Sequence, residues 1–192
     1  LPAKRLAKPL RLIALSRLAP NKRVSDVIHV LARLNQVGCP VELTVVGSGW
    51  ERGLLGRLAE SLGQADVVTF KDHLDDDEKN SELQNAHLLL HTSVREGWGL
   101  NVVEANAMGT PAVVYPVGGL VDSTVHGVTG CVSEKETPAS LAAEILRLIN
   151  EPRRYDQLRQ AAWQRSFDFR WETVLGPTCN WLENLAYDPD VL

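Results

Sequence analysis

Cysteine is scarce in this sequence, and the three cysteines that it has lie far apart. Cys39, Cys131 and Cys179 match no common metal-ligand spacing. A sparse, odd-numbered set also provides no disulfide framework of the kind on which small secreted domains depend. The cysteine content therefore predicts a protein of a reducing compartment.

Long hydrophobic runs are also missing. No stretch approaches the roughly 18 apolar residues of a membrane-spanning helix. Basic residues near the start of the chain are followed by the short apolar run Leu12–Leu15, which is too short for a secretory signal peptide. We therefore expect a cytoplasmic protein without a transmembrane segment.

The chain has no excess of positive charge. Its 20 lysines and arginines face 24 aspartates and glutamates, and its net charge is -4. Such a balance gives no general attraction to nucleic acid or to anionic lipid. A phosphate group, if one is bound, must be held by a few positioned cations, and we expect no nucleic-acid partner.

What the sequence does contain is a regular alternation of short apolar segments and amphipathic helical patterns. The predicted strands are Leu10–Ser16, Val41–Gly47, Val67–Phe70, His87–Ser93, Ala112–Tyr115 and Gly130–Ser133. Several of these are apolar without alternation, as expected for strands that are buried on both faces. The pattern predicts an α/β fold with a Rossmann-like, doubly wound parallel sheet of about six strands, and ligands at the carboxyl ends of the strands.

The alternation stops near Pro152, after which two helical patterns remain, over 153–167 and 171–186. Gly176 and Pro177 lie inside the second pattern and predict an interruption of that helix. We see no linker and no second core. We therefore predict one domain, with a Rossmann-like part over residues 1–150 and a helical C-terminal extension over residues 151–192.

The densest chemical signal is the segment Ser93–Tyr115, SVREGWGLNVVEANAMGTPAVVY. It passes from the end of a predicted buried strand through a glycine-rich loop into a helix. Such a loop lets backbone N–H groups approach a ligand, and the free N–H groups at a helix N-terminus favour a phosphate. Glu96 and Glu104 accompany it, and a carboxylate can accept two hydrogen bonds from a diol. An isolated pair of glutamates would more often be solvated surface charges. The functional interpretation of this pair therefore depends on the motif that surrounds it.

The whole segment resembles the signature of the family 4, or "group 1", retaining glycosyltransferases, which have the GT-B fold. Their pattern is E-G-[FW]-G-L followed by E-A-x-A-x-G-x-P-V, with seven residues between the two glutamates, as there are between Glu96 and Glu104. The one departure is Ala112, where the pattern has valine. The resemblance implies that this chain is the C-terminal, nucleotide-sugar-binding half of a GT-B enzyme.

The resemblance also implies which residues bind the donor. It assigns the donor sugar and the distal phosphate to Glu96 and to the glycine-rich loop, namely Gly97, Trp98, Gly99 and Leu100. Glu104 would hold the ribose hydroxyls. The donor would be a UDP- or GDP-sugar, with no metal and no other cofactor implied.

Two cations near the first predicted strand extend the resemblance. Ser16-Arg17-Leu18, followed by Lys22, is similar to the family's G-R-L-x-x-x-K segment, although Ser16 replaces the usual glycine. Arg17 and Lys22 would hold the donor pyrophosphate and stabilise the leaving diphosphate as negative charge develops on it.

Three further segments resemble the family more loosely. Gly47, at the end of the second predicted strand, falls in a V-x-G-x-G pattern. Asp72, His73 and Leu74 occupy the loop that would contact the nucleobase, with Asp72 in place of the usual glycine. Gly119 belongs to a turn that would lie beside the donor sugar.

Two alternative sites are disfavoured by the sequence. A dinucleotide site needs G-x-G-x-x-G, but Arg52 stands where the last glycine should be. His87 and His91 have the spacing of a helical zinc site, but they fall on a predicted strand, where that spacing spans roughly 13 Å. We therefore predict no metal site.

The length of the chain is roughly half of what a two-domain GT-B enzyme needs. We expect the N-terminal acceptor-binding domain to be missing, so the chain alone should bind donor but transfer little or no sugar. Many such enzymes act at the cytoplasmic face of the inner membrane, although this sequence supplies no anchor. An alternative stays open, a non-catalytic or epimerase-like module that binds a sugar nucleotide.

Overall fold

The computed structural model describes residues 1–186, and within them six strands form one sheet. The strands are β1 (Leu10–Leu15), β2 (Val41–Val46), β3 (Val68–Lys71), β4 (Leu88–His91), β5 (Ala112–Val114) and β6 (Gly130–Val132). The helices are α1 (Val24–Gln36), α2 (Arg52–Ser61), α3 (Asp76–Asn85), α4 (Leu100–Ala107), α5 (Gly118–Ser123), α6 (Pro138–Ile149), α7 (Pro152–Ser166) and α8 (Trp171–Ala186). Each predicted strand is present in the structure.

The sheet is parallel throughout, with the strand order β3-β2-β1-β4-β5-β6. The chain first winds outward from β1 to β3 and then returns to the middle of the sheet, where β4 pairs with β1. This is the order of a doubly wound fold, so the predicted fold class is confirmed. The change of winding direction lies between β1 and β4, and ligands of such folds bind in the crevice at that point.

Helices cover both faces of the sheet because successive side chains of a strand point to opposite faces. On β1, Leu12 belongs to the core cluster that contains residues of α1, α2 and α6, whereas Ile13 belongs to the cluster that contains residues of α3, α4 and α5. Both side chains are 1% exposed. Burial on both faces explains why the central strands are apolar without alternation.

The C-terminal helices differ in how they pack. α7 buries Tyr155 and Leu158 in the core, whereas residues 171–184 of α8 are exposed. The predicted interruption at Pro177 is wrong, because α8 continues through this residue. Since the helix is exposed there, water can hydrate the carbonyl that Pro177 leaves without a donor. Residues 187–192 of the predicted extension lie outside the described residues, and no helix within residues 1–186 is long and apolar enough to cross a membrane.

Candidate functional site

A cleft of about 630 Å³ opens at the carboxyl ends of β1 and β4. One wall is the loop between β1 and α1, and the other is the loop between β4 and α4. The cleft brings together seven of the residues that the sequence assigned to a donor site, namely Arg17, Lys22, Glu96, Gly97, Trp98, Gly99 and Leu100. The parallel topology places them together, because both loops leave the same edge of the sheet.

An ion pair joins the two walls of the cleft. The Nζ atom of Lys22 lies 2.6 Å from Oε2 of Glu96, and the two side chains are only 17% and 20% exposed. Burial opposes ionisation of Glu96, but the hydrogen bond and the charge of Lys22 hold the pKa of this carboxyl below its usual range. Glu96 is therefore an anion at neutral pH, and the cleft has a charged floor.

His91, the last residue of β4, is a member of the site that the sequence analysis missed. Its Nε2 atom lies 2.8 Å from Oγ of Ser93 and 3.2 Å from Oε2 of Glu96. Burial lowers the pKa of His91 to about 4, so the ring is neutral near pH 7. Since the Ser93 hydroxyl donates to Glu96 at 3.1 Å, the Ser93 oxygen is left to accept a hydrogen bond from an Nε2–H tautomer of the ring.

Asn101 also lines the cleft and was not predicted from the sequence. Its Nδ2 atom donates to the carbonyl of Leu15 at 2.7 Å. This bond ties the first turn of α4 to the end of β1. The general signal for both missed residues is a polar side chain at the carboxyl edge of a buried strand or on the first turn of the following helix.

Two glycines, one in the glycine-rich loop and one in α5 behind it, stand where only glycine fits easily. Gly99 has a φ of 84° and precedes the first residue of α4, so it turns the chain into the helix. At Gly119 an added Cβ would lie 2.5 Å from the carbonyl oxygen of Glu96 and from the carbonyl carbon of Gly97. The first residues of α5 therefore support the loop from behind, at the place where the sequence predicted a turn beside the donor sugar.

Two side chains frame the open part of the cleft. The ring of Trp98 packs edge-on against Phe169, with 5.7 Å between ring centroids. Phe169 belongs to a short 3-10 helix, Phe167–Phe169, which leads into α8. Arg17 is exposed, and none of the carboxylates in residues 1–186 pairs with its guanidinium.

Glu104 does not line the cleft but lies farther along α4. Its Oε1 atom accepts a hydrogen bond from Nζ of Lys79 at 3.0 Å, and its side chain is 40% exposed. Lys79, on α3, also contacts Asp76 at 2.9 Å. The hydrogen bond with Asp76, together with Glu104, raises the pKa of Lys79 above its usual range. One oxygen of Glu104 is thus engaged by Lys79.

The remaining predicted residues lie at the ends of β2 and β3, also outside the cleft. Gly47 follows β2 and donates its N–H to the carbonyl of Lys71 at 2.8 Å. Asp72 and His73 are exposed and Leu74 is partly buried in the loop between β3 and α3. The structure therefore places these residues along the same edge of the sheet as the cleft, two strands away from β4 in the case of Gly47.

Comparison with known proteins agrees with this architecture. Residues 3–165 match the family model "Glycosyl transferases group 1". A glycogen synthase of Mycobacterium tuberculosis is 33% identical over 171 residues, and an MMP alpha-(1->4)-mannosyltransferase of Mycolicibacterium hassiacum is 34% identical over 173 residues. Each alignment covers 88% of this chain and 41% of the relative. The chain thus spans less than half the length of these curated relatives.

The fold also matches solved glycosyltransferase structures. The structure of Anabaena Alr3699/HepE in complex with UDP and glucose superposes with a TM-score of 0.79 at 25% identity, over 93% of this chain and 49% of that one. The fold is that of one half of a GT-B enzyme. The chain belongs to the group 1 glycosyltransferases, in which it corresponds to the C-terminal domain.

Proposed function

We propose that this chain is the donor-binding half of a retaining glycosyltransferase, which transfers a hexose from a UDP- or GDP-sugar to an acceptor. The observation that carries this proposal is the cleft between β1 and β4, where Lys22, Glu96 and the glycine-rich loop meet. It lies at the point in a doubly wound sheet where ligands bind. The solved relative from Anabaena, which holds UDP and glucose, supports this class of ligand.

The diphosphate fits the cationic side of the cleft. Arg17 offers a planar guanidinium that is exposed at its mouth, and such a group can form paired hydrogen bonds with phosphate oxygens. Lys22 supplies a second positive charge. In the proposed reaction the bond between the sugar and the diphosphate breaks, and Arg17 and Lys22 stabilise the charge that develops on the departing oxygen. We propose that this stabilisation needs no metal ion.

The sugar and the nucleoside fit the polar groups on either side. Glu96 would accept hydrogen bonds from sugar hydroxyls while the loop 97–100 approaches the distal phosphate. Glu104, with one oxygen engaged by Lys79 and its side chain 40% exposed, would accept hydrogen bonds from the ribose hydroxyls. The loop of Asp72, His73 and Leu74 would contact the base. Gly47 and Gly119 would lie beside the donor, where each lets neighbouring backbone pack closely, that of Ser16 at Gly47 and that of Glu96 and Gly97 at Gly119.

Calorimetric titration with UDP and GDP tests this assignment directly. We expect at least one of them to bind the chain, and Lys22→Met should weaken that binding about tenfold, because it removes a charge-assisted hydrogen bond. Lys8→Met is the matched control, since Lys8 is also a lysine but lies at the opposite edge of the sheet. Equal affinities of Lys22→Met and the unaltered chain would contradict the assignment.

The acceptor site belongs, in this proposal, to an N-terminal domain that the chain does not contain. The chain by itself should therefore bind donor without transferring sugar, apart from slow hydrolysis. Mixing the chain with a radiolabelled donor and candidate acceptors tests this. Rapid transfer by the chain alone would show that the acceptor site is here. We further propose a cytoplasmic location, which suits three free cysteines.

A further inference from the structure

Thr92 lies directly behind the cleft, between His91 and Ser93. Its side chain is 1% exposed. Its hydroxyl lies 3.0 Å from the carbonyl oxygen of Lys22 and 2.9 Å from that of Arg23. A hydroxyl has a single proton to donate, so the two carbonyls share one hydrogen bond. Thr92 thus contacts the backbone that carries Lys22 and not the ammonium group itself.

The backbone at this point has an unusual conformation. Arg23 has φ 49° and ψ 41°, and it is the one non-glycine residue with positive φ in the described part of the chain. Residues other than glycine seldom adopt this left-handed backbone conformation, because their Cβ atom comes too close to backbone atoms. The turn is needed because it connects the short 3-10 helix Pro20–Lys22 to α1. Surrounding contacts must hold a turn of this kind in place.

A second contact holds the same loop. The N–H of Val94 donates to the carbonyl of Asn21 at 2.8 Å. Together with the Thr92 hydroxyl, it attaches three consecutive carbonyls, those of residues 21, 22 and 23, to the loop that follows β4. The two walls of the cleft are therefore joined by hydrogen bonds beneath the Lys22–Glu96 ion pair.

We propose that Thr92 is a positioning residue for Lys22, which acts by holding the left-handed turn at Arg23. With the turn in place, the Lys22 ammonium reaches Glu96 at 2.6 Å. It also faces the space in which the donor diphosphate would lie, a step that rests on the proposed function. Lys22 is a flexible side chain with many rotamers, so a fixed backbone beneath it reduces the entropy lost on binding.

The first test needs no ligand. Thr92→Val keeps the shape of the side chain but removes the hydroxyl, and Thr92→Ser restores the hydroxyl. The measurement is the carboxyl ¹³C shift of Glu96 as a function of pH. In Thr92→Val the pKa of Glu96 should rise, because the Lys22 ammonium is no longer held against its carboxylate. In Thr92→Ser the carboxyl group of Glu96 should titrate as it does in the unaltered chain. An unchanged Glu96 pKa in a folded Thr92→Val protein would overturn the proposal.

The second test is a double-mutant cycle on diphosphate binding. Thr92→Val should weaken UDP or GDP binding about tenfold, the effect of one charge-assisted hydrogen bond. It should have little effect on UMP or GMP, which lack the second phosphate. In a Lys22→Met background it should have no further effect, because the residue that it positions is gone. A loss that persists in that background would show that Thr92 acts on binding by another route.

These outcomes separate the inference from the proposed function. If the unaltered chain binds neither UDP nor GDP, the donor assignment fails, and the Glu96 titration still decides the role of Thr92. If the chain binds and Thr92→Val binds equally well, the positioning role fails while the donor assignment stands. Thr92→Ala provides a second hydroxyl-free variant. If neither hydroxyl-free variant folds, Thr92 serves the fold as a whole and the positioning role is rejected.

Discussion

Acidification should destabilise this protein through two buried histidines, His87 directly before β4 and His91 at its end. His87 and His91 are 0% and 4% exposed. Burial lowers the pKa of each ring to about 4 from the ordinary value of 6.5. For His91 the charge of Lys22 acts in the same direction as burial, and Glu96 opposes both. Each ring is therefore neutral in the folded chain at a pH where it is protonated in the unfolded chain.

The sign of the effect follows from this difference in proton binding. Between the folded and the unfolded pKa the unfolded chain binds more protons, so stability falls as the pH falls. From about pH 6.5 to about pH 5 each histidine costs about 1.5 kcal/mol, and the pair costs about 3 kcal/mol. This is a large part of the stability of a typical domain, which is about 5–15 kcal/mol. Burial also lowers the pKa of Lys4 to about 7, so protonation of Lys4 reduces the stability mainly as the pH falls toward 7. The measurement therefore starts near pH 6.5, below most of this contribution.

Urea denaturation at closely spaced pH values measures the loss. His87→Asn and His91→Gln separate the two rings, and each should remove about half of the pH dependence. The replacements keep a polar atom near the one that each ring uses: Nδ1 of His87, which accepts from the N–H of Arg11 at 2.9 Å, and Nε2 of His91. His73→Gln, on an exposed loop, is the control and should leave the slope unchanged.

The result that refutes this reasoning is a weak pH dependence in the unaltered chain. If the free energy of unfolding changes by less than about 1 kcal/mol over this window, both rings must be protonated in the folded chain or exposed in it. If His91→Gln alone has no effect on the slope, the contact between a neutral ring and Ser93 is not maintained in solution. NMR of the imidazole nitrogens would then show which tautomer is present.

Three further changes test separate parts of the site. Gly119→Ala should destabilise the chain by about 2 kcal/mol or more, since the added Cβ meets backbone atoms at 2.5 Å. Gly118→Ala is the control and should melt like the unaltered chain, because no atom lies within 4 Å of its Cβ. Similar melting temperatures of the two variants would contradict the conclusion that α5 supports the loop. Glu104→Ala should weaken UDP or GDP binding about tenfold, and calorimetry with the 2′,3′-dideoxy nucleotide should show no such loss if ribose hydroxyls are what Glu104 binds. Lys79→Met should leave the fold intact and change nucleotide affinity less than Glu104→Ala does, and an equal or larger loss would mean that Lys79 itself contacts the ligand.

Much of the fold could be predicted because it depends on local patterns. Unbroken apolar runs such as Leu88-Leu89-Leu90 indicate strands that are buried on both faces, and helical patterns between them indicate crossovers of a parallel sheet. The interruption at Pro177 was predicted by the same local reasoning and is wrong. A proline removes one hydrogen bond, but an exposed helix can leave that carbonyl to water, so the penalty does not have to end the helix.

The contacts between the residues of the cleft were less predictable than the strands and helices. Lys22 and Glu96 are 74 positions apart, and nothing in their local sequence brings them together. Their contact follows from the pairing of β1 with β4, which hydrophobic periodicity alone does not determine. The family resemblance implied only that both residues bind the same donor. Whether Glu104 and the loop of Asp72 reach the same ligand stays a prediction, since they lie beyond the cleft and depend on where a donor extends.

The residues that sequence reasoning passed over carried a signal of their own. His91, Thr92 and Ser93 are three consecutive buried polar residues, at 4%, 1% and 0% exposure, at the end of a strand that is otherwise apolar. Buried polar groups need hydrogen-bond partners, and a parallel strand supplies none for its side chains. Thr92 finds its partners in the neighbouring loop between β1 and α1, whereas His91 pairs with Ser93 and Ser93 pairs with Glu96 in the loop that follows β4. All of these contacts lie at the carboxyl edge of the sheet, where ligands of such folds bind. A polar triplet at that position thus indicates contacts that hold one loop against another, as Thr92 holds the turn at Arg23.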